Sequence, residues 1–308
     1  GVSHLAKIML NALRHNNPDL GITDDMIELY QIAGLVHDIG HGPFSHALEN
    51  SIVKDLSHED LSAIFMKKLN QEFNGKISLA IKIFNNTYHK KFLHQLVSSQ
   101  LDMDRLDYLR RDSFFSGVAE GNIGTERIIN MLDIVDDQLV VEEKGIYSIE
   151  KFIIARRLMY WQVYLHKTVV SAENMLIKAL QRAKLLIINN HNIFTTPLLE
   201  RFLKNNFTKE DFKKNSKLLN SFAELDDSDI ITCLKYWRYS EDFVLSKIST
   251  RILDRNLLKI KITKKQIISE EINNLIYNFC KKNNCSNEEA RFFIFSSTLT
   301  NNTYNITK

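Results

Sequence analysis

The chain has 308 residues, of which 44% are hydrophobic and 25% charged, the usual composition of a soluble globular protein. Its formal charge of +3 is compatible with an anionic ligand, and it allows a nucleic-acid partner without indicating one. Three cysteines without metal-ligand spacing, no apolar run long enough for a bilayer and no visible signal peptide predict a cytoplasmic protein without a membrane partner.

Helices dominate the predicted elements, because only ten glycines and three prolines interrupt the chain. The first pattern, at 1–13, is helical but lacks a preceding cap, so we expect native sequence before Gly1. Thr23 suits an N-cap, and the helix that follows it is predicted to end at His37–Gly40 with the glycine near its C-cap. Another helix is predicted over 100–114.

Further along the chain, residues 138–149 alternate in hydrophobicity and predict a small β-hairpin. One long helix is predicted over 150–188, and a strand over 257–262. We therefore expect a mainly α fold, a helical bundle with a small β-hairpin and a smaller mixed C-terminal lobe. The predicted division is a catalytic core at 1–190 and a helical or mixed lobe at 191–308.

The segment HDIGHGPFSHALE, residues 37–49, places three histidines and two carboxylates in thirteen residues. Adjacent residues point about 100° apart on a regular helix, but at a helix end His37 and Asp38 can converge on one cation. Imidazole nitrogen and carboxylate oxygen together suit a divalent metal ion. Alternatively, His37 and Asp38 are only a helix cap or a surface ion pair. The neighbouring His41, His46 and Glu49 argue against this structural interpretation.

A second charged segment is LDMDRLDYLRRD. Asp104, Tyr108 and Asp112 fall at i, i+4 and i+8 of the predicted helix, with Arg105 on the neighbouring strip. Such a face would present carboxylates, a phenol and a cation together. A solvated helix with internal ion pairs explains the same pattern, and the residues alone leave both interpretations open.

A third segment is ARRLMYWQVYLHK. Arg156, Tyr160 and Lys167 lie close to one line of a helix, with Tyr164 beside them and His166 farther round. Two cations flanked by phenols would suit a polyphosphate with a ring system nearby. The pattern alone slightly favours the ordinary alternative, in which the aromatic residues are core and the cations surface.

These segments, in this order, resemble the HD-domain phosphohydrolases, and among them the deoxynucleoside triphosphate triphosphohydrolases. The matching segments are GVSHLA, HDIGHGPFSHALE, HE at 58–59, LDMDRLDYLRRDS, SGV at 116–118 and YLHK at 164–167. They extend from residue 1 to about 180, and no motif after 190 matches. The resemblance implies an HD-domain helical bundle.

The resemblance also implies a divalent metal ion (manganese, iron, zinc, magnesium or nickel) held by His37, Asp38 and Asp104. A further histidine ligand of the family would precede Gly1, so the N-terminal part of the motif is expected upstream.

The implied catalytic residues are His58, Glu49 and His41. His58 would protonate the leaving oxygen, Glu49 would orient His58, and His41 would face the phosphates. The implied substrate-binding residues are His46, Arg105, Tyr108, Asp112, Arg156, Tyr164, His166 and Lys167.

The activity that the resemblance implies is metal-dependent hydrolysis of a deoxynucleoside triphosphate to a deoxynucleoside and triphosphate. It implies a nucleotide effector and a homo-oligomer as further partners. Two alternatives remain open at this point: a phosphohydrolase acting on a nucleoside monophosphate or an alarmone, and a nucleotide-binding regulatory protein that hydrolyses nothing.

Overall fold

In this computed structural model the described residues are 1–49, 53, 56–265 and 267–298, and most of them are helical. The chain packs as two compact units. The first unit comprises Gly1–His41 and Ser57–His166, and the second comprises the described residues within 42–56 and 167–300. Within the described residues the first unit thus ends at His166; the predicted assignment of a catalytic core to 1–190 and a separate lobe to 191–308 stays a prediction.

Helices of the first unit enclose a large apolar core and a smaller cluster of Ala33, Ile77 and Ala80. They are α1 (Val2–Asn16), α2 (Asp24–Val36), α3 (His58–Glu72), α4 (Ser78–Phe84), α5 (Lys91–Val97), α6 (Met103–Ser116), α7 (Thr125–Asn130) and α8 (Ile146–Met159). Helix α1 buries Met9, Leu10 and Leu13 completely, and Phe92 and Phe152 belong to the same core. The mainly α prediction is confirmed.

Local capping sets the start of the two helices that matter most for the site. The Thr23 hydroxyl accepts a hydrogen bond from the Met26 amide at 3.2 Å, which confirms the predicted N-cap of α2. The Asp102 carboxylate accepts one from the Arg105 amide at 2.8 Å and caps α6. Both caps satisfy amides that a helix leaves without partners in its first turn.

The β-hairpin exists, but earlier in the chain than predicted. Strand β1 (Leu132–Val135) pairs antiparallel with β2 (Gln138–Val141). The turn is Asp136–Asp137, whose φ angles of 51° and 60° suit a tight hairpin turn that twists with its strands. The predicted hairpin at 138–149 is wrong in its second strand, because the residues after Val141 form a short 3-10 turn and then α8.

The long helix predicted over 150–188 is wrong as well. Helix α8 ends at Met159, and Tyr160–Tyr164 form a π-helical turn in which the Leu165 amide donates to the Tyr160 carbonyl at 2.7 Å. The wider turn breaks the α-helical hydrogen-bond ladder. A new helix begins at Lys167, where the second unit also resumes.

Helices form the second unit too. They are α9 (Lys167–Ile188), α10 (Pro197–Lys204), α11 (Lys209–Lys214), α12 (Ser216–Glu224), α13 (Asp227–Trp237), α14 (Phe243–Leu253), α15 (Ser269–Asn283) and α16 (Asn287–Ala290). Phe202, Phe212 and Phe222 pack ring against ring in its core. None of the described helices of either unit is long and apolar enough to cross a membrane.

The strand predicted over 257–262 is not formed. A strand needs a partner strand, and in the described residues this segment instead docks on α9. The Leu258 carbonyl accepts from the Ser171 hydroxyl at 2.7 Å, and the Leu258 amide donates to the Met175 sulfur at 3.3 Å. Side-chain partners on a helix replace the ladder that the alternating sequence suggested.

Candidate active site

The end of α2 orients His37. The Nδ1 atom of His37 lies 3.0 Å from the carbonyl oxygen of Gly34, one turn earlier in the chain. In the neutral tautomer Nδ1–H donates to that carbonyl, so the lone pair is on Nε2. This is the arrangement by which proteins commonly orient a metal-binding histidine.

Two carboxylates face that nitrogen. His37 Nε2 lies 3.2 Å from Asp38 Oδ2 and 3.8 Å from Asp104 Oδ1. The ligand atoms of these three residues all lie within 4.8 Å of one another, although Asp104 comes from the first turn of α6, far along the chain. The three residues predicted as metal ligands are thus brought together within the first unit.

A cation fits this cluster. His37 Nε2 is buried and has no hydrogen-bond partner among the described residues. Burial lowers the pKa of His37, but the facing carboxylates of Asp104 and Asp38 outweigh it and raise the pKa to about 10. A cation at this position would compete with a proton for the same atom. One nitrogen and two carboxylate oxygens suit several divalent metal ions.

His41 and His58 stack beside the cluster. Their ring centroids are 4.1 Å apart with an interplanar angle of 13°, and His41 Nε2 lies 3.9 Å from Asp38 Oδ1. Burial raises the pKa of Asp38, but the neighbouring His37, His41 and His58 together bring it below its usual value. The two predicted catalytic histidines therefore adjoin the predicted metal ligands.

Gly40 allows the end of α2 to approach the start of α3. A Cβ atom at Gly40 would lie 2.2 Å from the His58 carbonyl oxygen and 2.4 Å from the Ser62 amide nitrogen. The Gly40 amide donates to the Ser62 hydroxyl at 2.9 Å. The predicted position of Gly40 at or near the C-cap of α2 is three residues late, because the C-cap is His37; the residue is a glycine because backbone from α3 occupies the side-chain position.

Phenol side chains from α6 and the π-helical turn form a second cluster in the same unit. The Tyr164 hydroxyl donates to Asp112 Oδ2 at 2.7 Å. The Tyr164 ring meets those of Tyr108 and Tyr160 edge to face, with centroid distances of 6.0 and 5.3 Å. Burial, followed by the bond to Asp112, raises the pKa of Tyr164 well above its usual value, so the phenol stays a donor at neutral pH.

A buried cation belongs to this phenol cluster. Arg156 is only 4% exposed, and its guanidinium carbon lies 6.0 Å from the centre of the Tyr160 ring. Burial raises the pKa of Tyr108 to about 12, although the charge of Arg156 acts in the opposite direction. Tyr160 was not among the predicted substrate-binding residues. Its position four residues after Arg156 and four before Tyr164 was the available signal.

The structure pairs Arg105 with Asp102, the N-cap residue of its own helix. Its Nη1 atom lies 2.6 Å from Oδ2 of Asp102, which is 1% exposed. Burial raises the pKa of Asp102 to about 6, against the lowering effect of Arg105. Sequence reasoning gave Asp102 no role, although an aspartate three residues before an arginine at a predicted helix start is a recognisable cap.

The remaining predicted residues are divided between the units. His166 is exposed at the end of the first unit, while His46, Glu49 and Lys167 belong to the second. There, His46 Nδ1 lies 3.3 Å from Glu49 Oε2. Glu49 is predicted to orient His58, and His46 and Lys167 are predicted to bind the substrate. These roles would require residues of both units, so they stay predictions, as does the predicted substrate contact of His166.

Comparison with protein families matches the HD domain to residues 1–112 and the HD associated region to residues 123–195. Among solved structures, a phosphohydrolase from Bacteroides thetaiotaomicron is 49% identical in sequence with a TM-score of 0.91, and the match covers 95% of this chain and 72% of that one.

Curated proteins show more distant similarity. The uncharacterized protein YwfO of Bacillus subtilis is 33% identical over 84% of this chain and 58% of its own length. The deoxynucleoside triphosphate triphosphohydrolase SAMHD1 homolog of Dictyostelium discoideum is 30% identical over 84% of this chain and 49% of its own length. The chain thus spans about half the length of the curated relatives it matches.

Proposed function

Because this chain belongs to the HD-domain phosphohydrolases, a family of metal-dependent enzymes, we propose that it hydrolyses deoxynucleoside triphosphates to deoxynucleoside and triphosphate. The observation that carries the proposal is one face of α6. Asp104 joins the metal-ligand cluster, while Tyr108 and Asp112, one and two turns later, join the phenol cluster around Arg156. The proposed metal site and the phenol cluster therefore share one helix, α6.

The first cluster suits the reacting phosphate. A divalent cation held by His37, Asp38 and Asp104 would act as a Lewis acid on a phosphoryl oxygen. His58 would donate a proton to the leaving sugar oxygen, which as an alkoxide is a poor leaving group. His41, whose ring stacks on that of His58, would hold the His58 imidazole in place.

The second cluster suits the rest of the substrate. The buried Arg156 would offset the charge of a triphosphate, because a guanidinium binds phosphate oxygens through several donors. Asp112 and Tyr164 offer a hydrogen-bonded pair to a sugar hydroxyl. Tyr108 would close the 2′ or 3′ edge of the sugar, which would favour deoxyribose over ribose.

The direct test is a panel of the four deoxynucleoside triphosphates and their ribose counterparts, each with manganese, magnesium and cobalt. The expected result is release of deoxynucleoside and intact triphosphate from at least one deoxynucleotide and little turnover of ribonucleotides. Hydrolysis of a nucleoside monophosphate or an alarmone in its place would favour a different substrate. Nucleotide binding without any turnover would favour a regulatory protein.

Water enriched in heavy oxygen identifies the bond that breaks. If His58 protonates the sugar oxygen, water attacks the α-phosphorus, and the label should appear in triphosphate and not in the deoxynucleoside. Orthophosphate as the first product, or label in the nucleoside hydroxyl, would contradict this assignment.

The nucleotide effector and the homo-oligomer implied by the family resemblance are part of the proposal. Sedimentation of the chain with and without deoxynucleotides tests both. A single monomeric species under all conditions would contradict both the proposed homo-oligomer and its control by a nucleotide effector.

A further inference from the structure

Asp102 links the turn before α6 to the first turn of that helix. Its carboxylate accepts hydrogen bonds from the Ser99 amide at 3.1 Å and from the Arg105 amide at 2.8 Å. The Arg105 guanidinium donates a third, at 2.6 Å. Asp104, one of the three proposed metal ligands, lies inside the segment that these bonds enclose.

The start of α6 is also packed against the end of α2. Met103, the first residue of α6, is fully buried, and a Cβ atom at Gly34 would lie 2.9 Å from its terminal carbon. The carbonyl of the same Gly34 accepts the Nδ1 bond of His37. Gly34 of α2 therefore contacts both the residue before Asp104 and the ring of His37. The position of Asp104 relative to His37 then depends on the first turn of α6.

We propose that Asp102 is a positioning residue of the metal site, which holds the first turn of α6 so that Asp104 faces His37. Helix ends fray, and a ligand in the first turn moves with them. A serine, threonine or asparagine would suffice as an ordinary cap. Here the Asp102 carboxylate is buried and paired with Arg105. Burying a charged group costs free energy, which a cap alone does not require.

The chain contains a matched control in its second unit. Asp242 caps α14, accepts a hydrogen bond from the Leu245 amide at 2.8 Å and pairs with Arg182 at 2.6 Å. Asp242 therefore also combines a helix cap with an arginine pair, although Arg182 comes from α9 and not from the capped helix, and it adjoins no proposed metal ligand in its own unit. Comparing the two separates a loss of helix capping from a loss of metal-site geometry.

The experiment titrates Mn²⁺ into the full chain by calorimetry, alongside thermal unfolding. Asp102→Ala should weaken Mn²⁺ binding by about tenfold or more, the scale seen for groups that support metal ligands. Asp242→Ala should bind Mn²⁺ like the unmodified chain, although both variants unfold at lower temperature. Asp102→Asn keeps one capping oxygen, but its amide nitrogen cannot accept the bonds from the Ser99 amide and the Arg105 guanidinium that Oδ2 accepts, so it should recover only part of the lost affinity.

Unchanged Mn²⁺ affinity in Asp102→Ala, or an equal loss in Asp242→Ala, would overturn the proposal. If the alanine variant does not fold, Asp102→Ser takes its place, since one hydroxyl cannot accept all three bonds; unchanged affinity in that variant is equally decisive. His37→Ala serves as the reference. If it binds Mn²⁺ normally, the metal site itself is misplaced, which is a different failure from that of Asp102.

Discussion

His37 is the residue on which the proposed metal site depends most, because its buried Nε2 atom faces two carboxylates. Replacing His37 or Asp38 with alanine should abolish hydrolysis by removing a metal ligand, while the apolar core keeps the chain folded. His94→Ala is the matched control, since His94 Nδ1 also lies 3.0 Å from a backbone carbonyl, that of Ile83, yet adjoins no ligand. Near-normal turnover by His37→Ala in metal-supplemented buffer would reject the site.

His58 is proposed as the general acid, and its loss should affect the chemical step. His58→Ala should lower the maximal rate by about 10²–10⁴-fold while metal and nucleotide binding persist, the usual consequence of removing a general acid. Steady-state kinetics and equilibrium binding measure the two effects separately. The exposed His15 provides a surface control. A variant that loses affinity but keeps its maximal rate would assign His58 to binding.

Tyr164 offers a test of the phenol cluster by the loss of one oxygen atom. Tyr164→Phe removes the 2.7 Å hydrogen bond to Asp112 and should lower the free energy of unfolding by about 0.5–1.5 kcal/mol. If the pair binds the sugar, KM for a deoxynucleotide should rise as well. Tyr147→Phe, at a tyrosine that is 79% exposed, should change neither quantity. Equal effects in Tyr164→Phe and Tyr147→Phe would contradict the proposed role of Tyr164 in sugar binding.

At the scale of elements, the junction of α2 with α3 is the most constrained contact near the site. Gly40→Ala would place a methyl group against backbone atoms of His58 and Ser62, which cannot rotate away. The variant should lose about 1–3 kcal/mol of stability and also activity, because α3 carries His58. Denaturant unfolding and turnover measure both losses.

Gly124→Ala is the control for that substitution. Its nearest neighbour would be the Arg127 Cβ at 3.9 Å, an ordinary contact, and the φ of Gly124 is −78°. We expect no loss of activity there. If Gly40→Ala behaves like Gly124→Ala, the close approach of the two helices is not required.

The π-helical turn is the other element-scale feature of the site. It directly follows α8, which carries Arg156, and it contains both Tyr160 and Tyr164, so the second cluster is built where the helix departs from α geometry. Such turns often occur at functional sites. Helical periodicity correctly placed these residues near one another, but it could not indicate that the helix would end there.

At the scale of the whole molecule, folding and metal binding should be separable. The first unit is held by an apolar core that does not include the three proposed ligands. Chelation should therefore stop hydrolysis and restoration of Mn²⁺ should recover it, while the thermal midpoint changes by only a few degrees, about what ligand linkage produces. Circular dichroism and product assays check this. Unfolding on chelation would show that the metal is structural.

Much of the fold could be predicted because its determinants are local. Thr23 caps the helix that it precedes, the scarcity of glycine and proline favours helices, and the spacing of Asp104, Tyr108 and Asp112 places them on one helical face. The pairing of His37 with Asp38 followed from their position at a helix end, whereas Asp104 was added by the family resemblance, and the geometry agrees with both.

What the sequence by itself determined was the mainly α class, the N-cap at Thr23 and which residues share a helical face, and it supplied the candidate side chains for the chemistry. Tertiary structure alone decided that α3 backbone occupies the side-chain position of Gly40, that Asp102 binds the Arg105 guanidinium, and that residues 257–262 dock on α9. These features depend on atoms distant in sequence or on the direction of a side chain. Neither periodicity nor propensity contains that information, because both describe a residue through its near neighbours in the chain.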